Sequence, residues 1–493
     1  MTKEKKKYFI KRLLEILPGF TSWNLILFPV WGAFVAPVAV AYFILLFDVS
    51  WVYQSISLAV FGLVAYFRLE ASKKFDWLGE IKSFPDWKKV HHIVIVCTYK
   101  EPLYILERTL QSLAGQTMPK DQMSIVVGFE KREIDWQKKA SELRKKFGDK
   151  FANLIFSEHT LVPGETAGKH SNARIAALKA KEELIDQKKV EIDYCTVTSC
   201  DADHVYHPNH FACLAYKFLD SPNRYLRFWQ PAIVFYNNFW RLPAPVRVVN
   251  TIGTIWSTAQ LARTDRLINQ QNYSLSLKLL DKIGYWDVDV IPEDWHIFFK
   301  AFFATSGKVE VEPIYLPLMA DAAESTSFLK TVKNQYEQFK RWAWGVSDDP
   351  YVIMKYFSEK DISFGNKTLR VLRMIKDHFL WPVNFFIITL GVNIPIFFNK
   401  EFAKTALGFN LPNISSFILT LCLLPLGIVV FLDAKKQRPP RPEDVPKIKS
   451  FLIPFEFILL PVVGFIFGAL PGLDAHTRLM LGKYIEYRVT EKV

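Results

Sequence analysis

An α/β domain built on a mainly parallel sheet and flanked by membrane helices is the fold class that three observations predict. Half of the 493 residues are hydrophobic, including 41 Phe and 14 Trp, which is heavy for a chain bathed entirely in water. Apolar runs long enough to cross a ~30 Å hydrocarbon core lie near both ends. Between them, from about His91, short strands alternate with amphipathic helices, and β-α-β-α order argues for parallel pairing.

The N-terminus is basic (Lys5, Lys6, Lys7, Lys11, Arg12), and residues 1–24 read as a cytosolic stretch. Residues 25–47 and 51–67 are apolar and only Asp48-Val49-Ser50 separates them, so 25–68 reads as a helical hairpin. Arg68, Lys73 and Lys74 repeat the positive charge beyond it, placing both flanks in the cytosol. No small-residue site ends the first run and a second span follows at once, which argues against a cleaved signal peptide. The formal net charge of +13 gathers beside the apolar stretches, so it favours an anionic membrane face over nucleic acid. Five cysteines show no paired metal spacing and several fall in expected core strands, which suits a reduced, cytosol-facing domain.

Residues 69–360 are expected to form that domain. Ile93 to Val96 is a strand, and Leu103, Leu106, Leu110 and Leu113 follow at helical spacing. A strand at 125–127, a helix at 134–147, a strand at 152–156 and a helix at 168–185 continue the alternation. After Asp203 the pattern is less regular until Leu316. The aromatic stretch 224–261, with Phe228, Trp229, Phe235, Tyr236, Phe239 and Trp240, reads as lying against a bilayer. One helix is expected over 327–356. Residues 361–472 hold apolar spans at 379–398, 414–432 and 451–470, with a basic, proline-rich cytosolic loop at 434–450, and 473–493 form a tail.

The chemistry centres on the strand Tyr194 to Cys200, which stops at Asp201 and Asp203. Open α/β sheets bind ligands at the carboxyl ends of their strands. Two hard oxygen donors there suit Mg²⁺ or Mn²⁺ holding a diphosphate, although Asp-x-Asp alone is also a common loop end. Four stretches add to it. Thr98-Tyr99-Lys100-Glu101 leaves the first strand where a nucleotide meets backbone N–H groups. Glu130 ends the second strand, where a carboxylate could read a base edge. Lys169 opens a helix, facing phosphate or simply solvent. Glu293 and Asp294 stand at a probable helix start, as caps or as an acid pair. Finally Gln338, Arg341 and Trp342 share a helix face at i, i+3 and i+4. His204, His207 and His210 lack the partner a zinc site needs.

In this order, between apolar spans, the set resembles the membrane-embedded family 2 glycosyltransferases: the cellulose, chitin and hyaluronan synthases. Asp201-Ala202-Asp203-His204-Val205 resembles their metal and diphosphate motif, Glu293-Asp294 their Thr-Glu-Asp, and Gln338-Phe339-Lys340-Arg341-Trp342 their Gln-x-x-Arg-Trp. The resemblance implies a GT-A fold and inverting sugar transfer. It implies that Asp201 and Asp203 bind the metal, with His204 near the phosphates, and that Asp294, beside Glu293, is the general base. Gln338 and Arg341 would hold the diphosphate and Trp342 the acceptor sugar. Thr98, Tyr99, Glu101, Glu130 and Lys169 would line the donor site. Two residues depart from the family pattern: Pro292 replaces a threonine, and Glu130 stands where an aspartate is usual. The tail residues Tyr487, Val489, Thr490 and Lys492 resemble the gating-loop motif Phe-x-Val-Thr-x-Lys, which would need the last apolar segment, with Pro454, Pro461, Pro471, Gly464 and Gly468, to be re-entrant or interfacial.

The leading expectation is a plasma-membrane enzyme that passes sugar from a nucleotide donor, UDP-linked rather than GDP-linked, to a growing glycan and feeds the product through its own helices, with a homo-oligomer completing a small channel. Transfer of one sugar to a lipid acceptor is the alternative enzyme. A catalytically dead scaffold or transport component would leave the three aspartates without a task.

Overall fold

The computed structural model describes residues 2–486. Proline decides where its N-terminal helices turn. Helix α1 (Lys3–Val35) takes up the basic residues as its first turns, and α2 (Pro37–Lys74) follows after the single residue Ala36. The turn therefore lies at Ala36, not at the expected 48–50. Pro37 lacks an N–H and has φ preset for a first helical turn, so it starts a helix at no cost. Asp48 stays inside α2 because it is buried with its carboxylate accepting the Ser415 hydroxyl at 2.6 Å.

In the domain that follows, continuous β-branched runs make strands covered on both faces. They are β1 (His91–Cys97), β2 (Met123–Glu130), β3 (Asn153–His159), β4 (Cys195–Asp201), β5 (Val205–Tyr206), β6 (Arg227–Val234), β7 (Tyr273–Ser276) and β8 (Glu310–Met319). The sheet is mixed, in the order β3-β2-β1-β4-β7-β6-β8-β5. β3, β2, β1 and β4 are parallel neighbours, and β7 is antiparallel to both β4 and β6. Helices α3 (Leu103–Ala114) and α4 (Trp136–Phe147) cover one face, where Leu106, Leu110, Leu113, Leu143 and Phe147 meet Val94, Val96, Ile125 and Val127. Helix α5 (Lys169–Ala180) covers the other with Ala173, Ala176 and Ala177. Gly128 on β2 lets α5 approach, since a Cβ there would stand 2.5 Å from Asn172 Oδ1.

The stretch 224–261 is not a bilayer-facing segment. Residues 227–234 are β6, and Phe228, Trp229, Phe235, Tyr236 and Phe239 are all buried. A central strand between β7 and β8 has two covered faces, so large aromatics serve it on both. Only the second part, α6 (Ala244–Leu261), is helical. Beyond it lie α7 (Glu293–Ala304), α8 (Phe328–Ala343), α9 (Asp349–Ser358) and α10 (Phe364–Leu380). The single helix expected over 327–356 is broken by the 3-10 turn Trp344–Asp348.

Among the described residues four helices are long and apolar enough to cross a membrane: Glu4–Val35, Pro37–Lys74, Ala406–Lys436 and Lys447–Met480. The bent pair Phe364–Leu380 and Asn384–Phe398, at 51°, would make a fifth. α2 runs parallel to 406–436 with polar rungs at one constant offset: Ser415 to Asp48, Ser55 to the Cys422 carbonyl, and Tyr66 to Asp433. Tyr236 of the domain also reaches Asp433, at 2.6 Å. Both helices thus end on the side where the domain sits. The last segment, Lys447–Met480, includes the irregular stretches Ile453–Leu459 and Gly464–Ala469. It meets the domain near both of its ends, where Arg247 pairs with Glu456 at 2.8 Å and Lys340 with Asp474 at 3.3 Å. Val463 and Phe467 join the domain core between those contacts.

Glu456→Gln leaves the buried Arg247 guanidinium without its counter-charge, a loss of about 3 kcal/mol or more. Hydrogen exchange over 453–463 is therefore expected to accelerate by about two orders of magnitude. Unchanged exchange would show that the ion pair does not hold the segment to the domain.

Candidate active site

The chain runs outward from β1 to β2 and β3, then returns to place β4 on the other side of β1. Such a reversal opens a crevice above the carboxyl ends of the two strands, here at Cys97 and its register partner Asp201. Thr98 leaves β1 with its N–H bonded to the Gly128 carbonyl, and its hydroxyl donates to Glu101 at 2.7 Å. The Tyr99 N–H donates to the same carboxylate. Glu101 is thus folded back onto its own turn, which passes through Lys100 at φ 65°. Arg132 lies 4.0 Å over the Tyr99 ring.

Glu130 ends β2 as expected, buried between Arg132 and His159, whose Nδ1 lies 3.1 Å from Oε1. His159 meets Glu165 with its other nitrogen at 3.0 Å. Burial would lower the His159 pKa, but the two glutamates outweigh it and raise it.

Across the crevice, Asp201, Asp203 and His204 each bring a ligand atom within 4.8 Å of the others, a grouping able to hold a divalent cation. Asp203 is buried and its Oδ2 accepts the Asp321 N–H at 2.9 Å. Lys169, at the first position of α5, reaches Asp201 at 2.6 Å and Glu293 at 3.6 Å. Burial would strip its proton, yet those carboxylates hold its pKa well above the usual lysine range. Asp294 stands beside Glu293 in the first turn of α7 and accepts N–H groups from Gln271 and Trp295, each at 2.9 Å. Burial nevertheless pushes its carboxyl above the ordinary range.

Residues 196–432, from within β4 to the apolar helix 406–436, match the family model described as glycosyl transferase family group 2. Over that stretch, just under half of its length, the chain is similar to the family 2 glycosyltransferases. No curated protein matches the sequence. Among solved structures, the chain is similar to the mannosyltransferase PcManGT from Pyrobaculum calidifontis in complex with GDP-Man and Mn2+, at 12% identity over 90% of this chain and 100% of that one, with a TM-score of 0.47. It is also similar to S. aureus TarS 1-349 in complex with UDP-GlcNAc, at 14% identity over 81% and 93%, with a TM-score of 0.37.

Helix α8, which carries the remaining expected residues, packs against the apolar segment 447–480. Gln338 is buried and accepts from Gln335 at 3.0 Å. Trp342 packs between Phe339 and Phe235, with centroids at 4.8 and 5.8 Å. Arg341 is close enough for its charge to act on Glu293. The gating-loop residues Tyr487, Val489, Thr490 and Lys492 lie outside the described residues. His207 and His210 stand apart from the cation grouping, and His210 packs between the Tyr206 and Phe211 rings.

Two parts of the candidate site escape motif reading. The loop Asn269-Gln270-Gln271-Asn272 cradles the acids: Asn269 donates to the Asp294 carbonyl at 2.6 Å, and the Gln271 carbonyl accepts from Lys169. Gln271 does this at φ 46°, a strained conformation for a residue with a side chain. The four polar residues in a row are the only signal the sequence carries for it. Asp321, just past β8, completes the seat of Asp203 and pairs with Arg108 at 2.7 Å.

Burial pushes the Glu293 carboxyl up to about 8; Lys169 pulls it down, while Asp294 and Asp201 add to the rise. A carboxyl raised in the folded state stabilises the fold only while protonated, so this contribution is present below pH 4.5 and lost as pH rises through 8. Glu293→Gln is expected to melt several degrees above the wild type at pH 9 and together with it at pH 4.5, in a thermal scan of the ligand-free protein. A pH-independent difference would contradict the buried, proton-holding carboxyl.

Asp201→Asn with Asp203→Asn is expected to weaken Mn²⁺-dependent nucleotide-sugar binding at least about a hundredfold, since even outer-shell losses reach that size. Calorimetry showing undiminished binding would remove the metal assignment.

Proposed function

We propose that the chain is a membrane-bound inverting glycosyltransferase that moves a sugar from a nucleotide-sugar donor to the hydroxyl of a growing polysaccharide. The observation that carries this reading is Lys169. One buried ammonium touches both the Asp201 carboxylate, at the metal grouping, and the Glu293 carboxylate, beside Asp294, so the two acid sets serve one reaction centre.

In this reading Thr98, Tyr99 and Glu130 line the nucleoside site, and Glu101 shapes the turn that presents them. Asp201, Asp203 and His204 would hold Mg²⁺ or Mn²⁺, which when bound would supply Lewis-acid neutralisation of the diphosphate. Asp294 accepts the proton of the acceptor hydroxyl as that oxygen bonds to the anomeric carbon and the bond to the diphosphate breaks. Burial raises its pKa, which makes it a stronger base than an exposed carboxylate. Arg341, Gln338 and Lys169 receive the charge that builds on the leaving diphosphate. Trp342 offers its ring to the acceptor sugar. The family resemblance favours a UDP-linked donor. The domain faces the cytosol beneath the plasma membrane, and residues 473–486 lie on the same side, because the segment 447–480 meets the domain near both ends.

Transfer of a single sugar to a lipid is the second reading, and one contact favours it. The end of α8 is packed into the apolar helices, with Ala343 and Trp344 against Ala475 and Leu479. A headgroup at the bilayer surface would find the acceptor side open to it. Product size separates the two. The protein in lipid nanodiscs, given labelled nucleotide sugars and Mn²⁺, is expected to yield a ladder or high polymer, with Asp294→Asn lowering transfer at least about a thousandfold. A single lipid-soluble product would favour the second reading, and full activity of Asp294→Asn would remove the mechanism.

A further inference from the structure

The acid pair on α7 is followed by Trp295 and His296, and neither has a role in the chemistry above. His296 is buried with both ring nitrogens on carboxylates: Nδ1 lies 2.7 Å from Asp348 Oδ1, and Nε2 lies 2.8 Å from Asp287 Oδ2. A neutral imidazole has one N–H and can satisfy one of these contacts. The pair requires the imidazolium, each N–H donating. Burial would lower the His296 pKa, but Asp348 and Asp287 raise it to about 9. Lys300, further along the same helix, reaches Asp287 Oδ1 at 2.6 Å and balances the second carboxylate. The Tyr351 ring closes the remaining side at 4.6 Å between centroids.

The next residue repeats the arrangement on another element. Asp349 is fully buried and meets His378 Nδ1 on α10 at 2.6 Å. The His378 ring lies against Trp295, with centroids 5.0 Å apart. Adjacent carboxylates therefore hold both residues that follow Asp294: Asp348 directly through His296, and Asp349 through His378 and Trp295. Asp348 and Asp349 each also bury a second oxygen with no hydrogen-bond partner. Such a group costs stability, so the arrangement is poorly explained as a stabilising ion pair alone.

Asp348 closes the short turn Trp344–Asp348 that continues directly from α8. The bridge thus runs from the helix that carries Glu293 and Asp294 to the turn that anchors Gln338, Arg341 and Trp342. Resting on the reading of Asp294 as base and Arg341 as diphosphate ligand, we propose that the Asp287–His296–Asp348 bridge is a positioning device that fixes the start of α7 against the end of α8, and so the distance from base to leaving group. His296 touches neither substrate nor reacting atoms in this scheme. It acts through Asp294. Misplacing a catalytic group by about 1 Å is enough to cost about a hundredfold in rate.

The test uses the full-length protein in nanodiscs with His296→Gln and Asp348→Asn, measuring kcat, donor KM and the calorimetric stoichiometry of nucleotide-sugar binding. Both variants are expected to lose about 10- to 100-fold in kcat while donor KM stays within about twofold and binding stoichiometry is that of the wild type. A folded variant with kcat within about twofold of wild type would overturn the proposal. So would a loss in kcat matched by an equal loss in stoichiometry, because only a smaller folded fraction would then be at work. Should His296→Gln not fold, Asp348→Asn, which keeps the side-chain shape, carries the test; if neither folds, the bridge is a stability element and the positioning role is refuted. Asp294→Asn is assayed alongside. Inactive Asp294→Asn with unimpaired bridge variants removes the positioning claim alone, whereas fully active Asp294→Asn removes the base assignment and leaves the bridge nothing to position.

Discussion

A lysine ammonium buried between carboxylates of two different elements is the constraint on which the site depends. Lys169 begins α5, Asp201 ends β4 and Glu293 begins α7, so three elements distant in sequence meet at one charge. Removing that charge would leave two carboxylates facing each other in a poorly solvated crevice, which is costly. Burial holds a proton on Glu293 to about pH 8 even though Lys169 pulls its pKa down. The acids are thereby sorted: one pair suited to a cation, another tuned towards proton transfer.

The sheet topology supplies the geometry for this sorting. Reversal of strand order at β1 opens the crevice, and the mixed half of the sheet then brings the residues beyond β8 and the loop before β7 around the far side. Asp321 and Gln271 enter the site through those two connections, and both bind acids by backbone N–H groups. The apolar helices are joined to the same frame. Tyr236 reaches Asp433, Arg247 reaches Glu456, and Lys340 reaches Asp474, so the domain is tied to the C-terminal apolar segments at three separate points.

How much of this was legible depended on whether a side chain or the backbone did the work. β1, β2 and β4 announce themselves as β-branched runs, and Glu130 and Asp201 fall at the ends of β2 and β4 where the pattern puts them. The same pattern misreads β6, since an aromatic strand covered on both faces has the composition of a membrane-surface segment. Asp48 breaks an apolar run in sequence but not in space, where Ser415 satisfies it. The break after α8 was equally hidden. Gly345 sits where a Cβ would come within 3.3 Å of His378, a long-range contact with no local trace. Gln271 and Asp321 act through N–H groups that every residue but proline possesses, so no side-chain motif could mark them.

In the proposed mechanism Asp294 and the diphosphate-binding residues act on opposite sides of one anomeric carbon in a single displacement. The anomeric configuration of the newly formed bond tests it most directly. With an α-linked nucleotide sugar, nuclear magnetic resonance of the product formed in the first turnovers should show the β configuration alone. A product that keeps the α configuration would exclude a single in-line displacement, and the assignment of Asp294 as the base of an inverting reaction would be wrong.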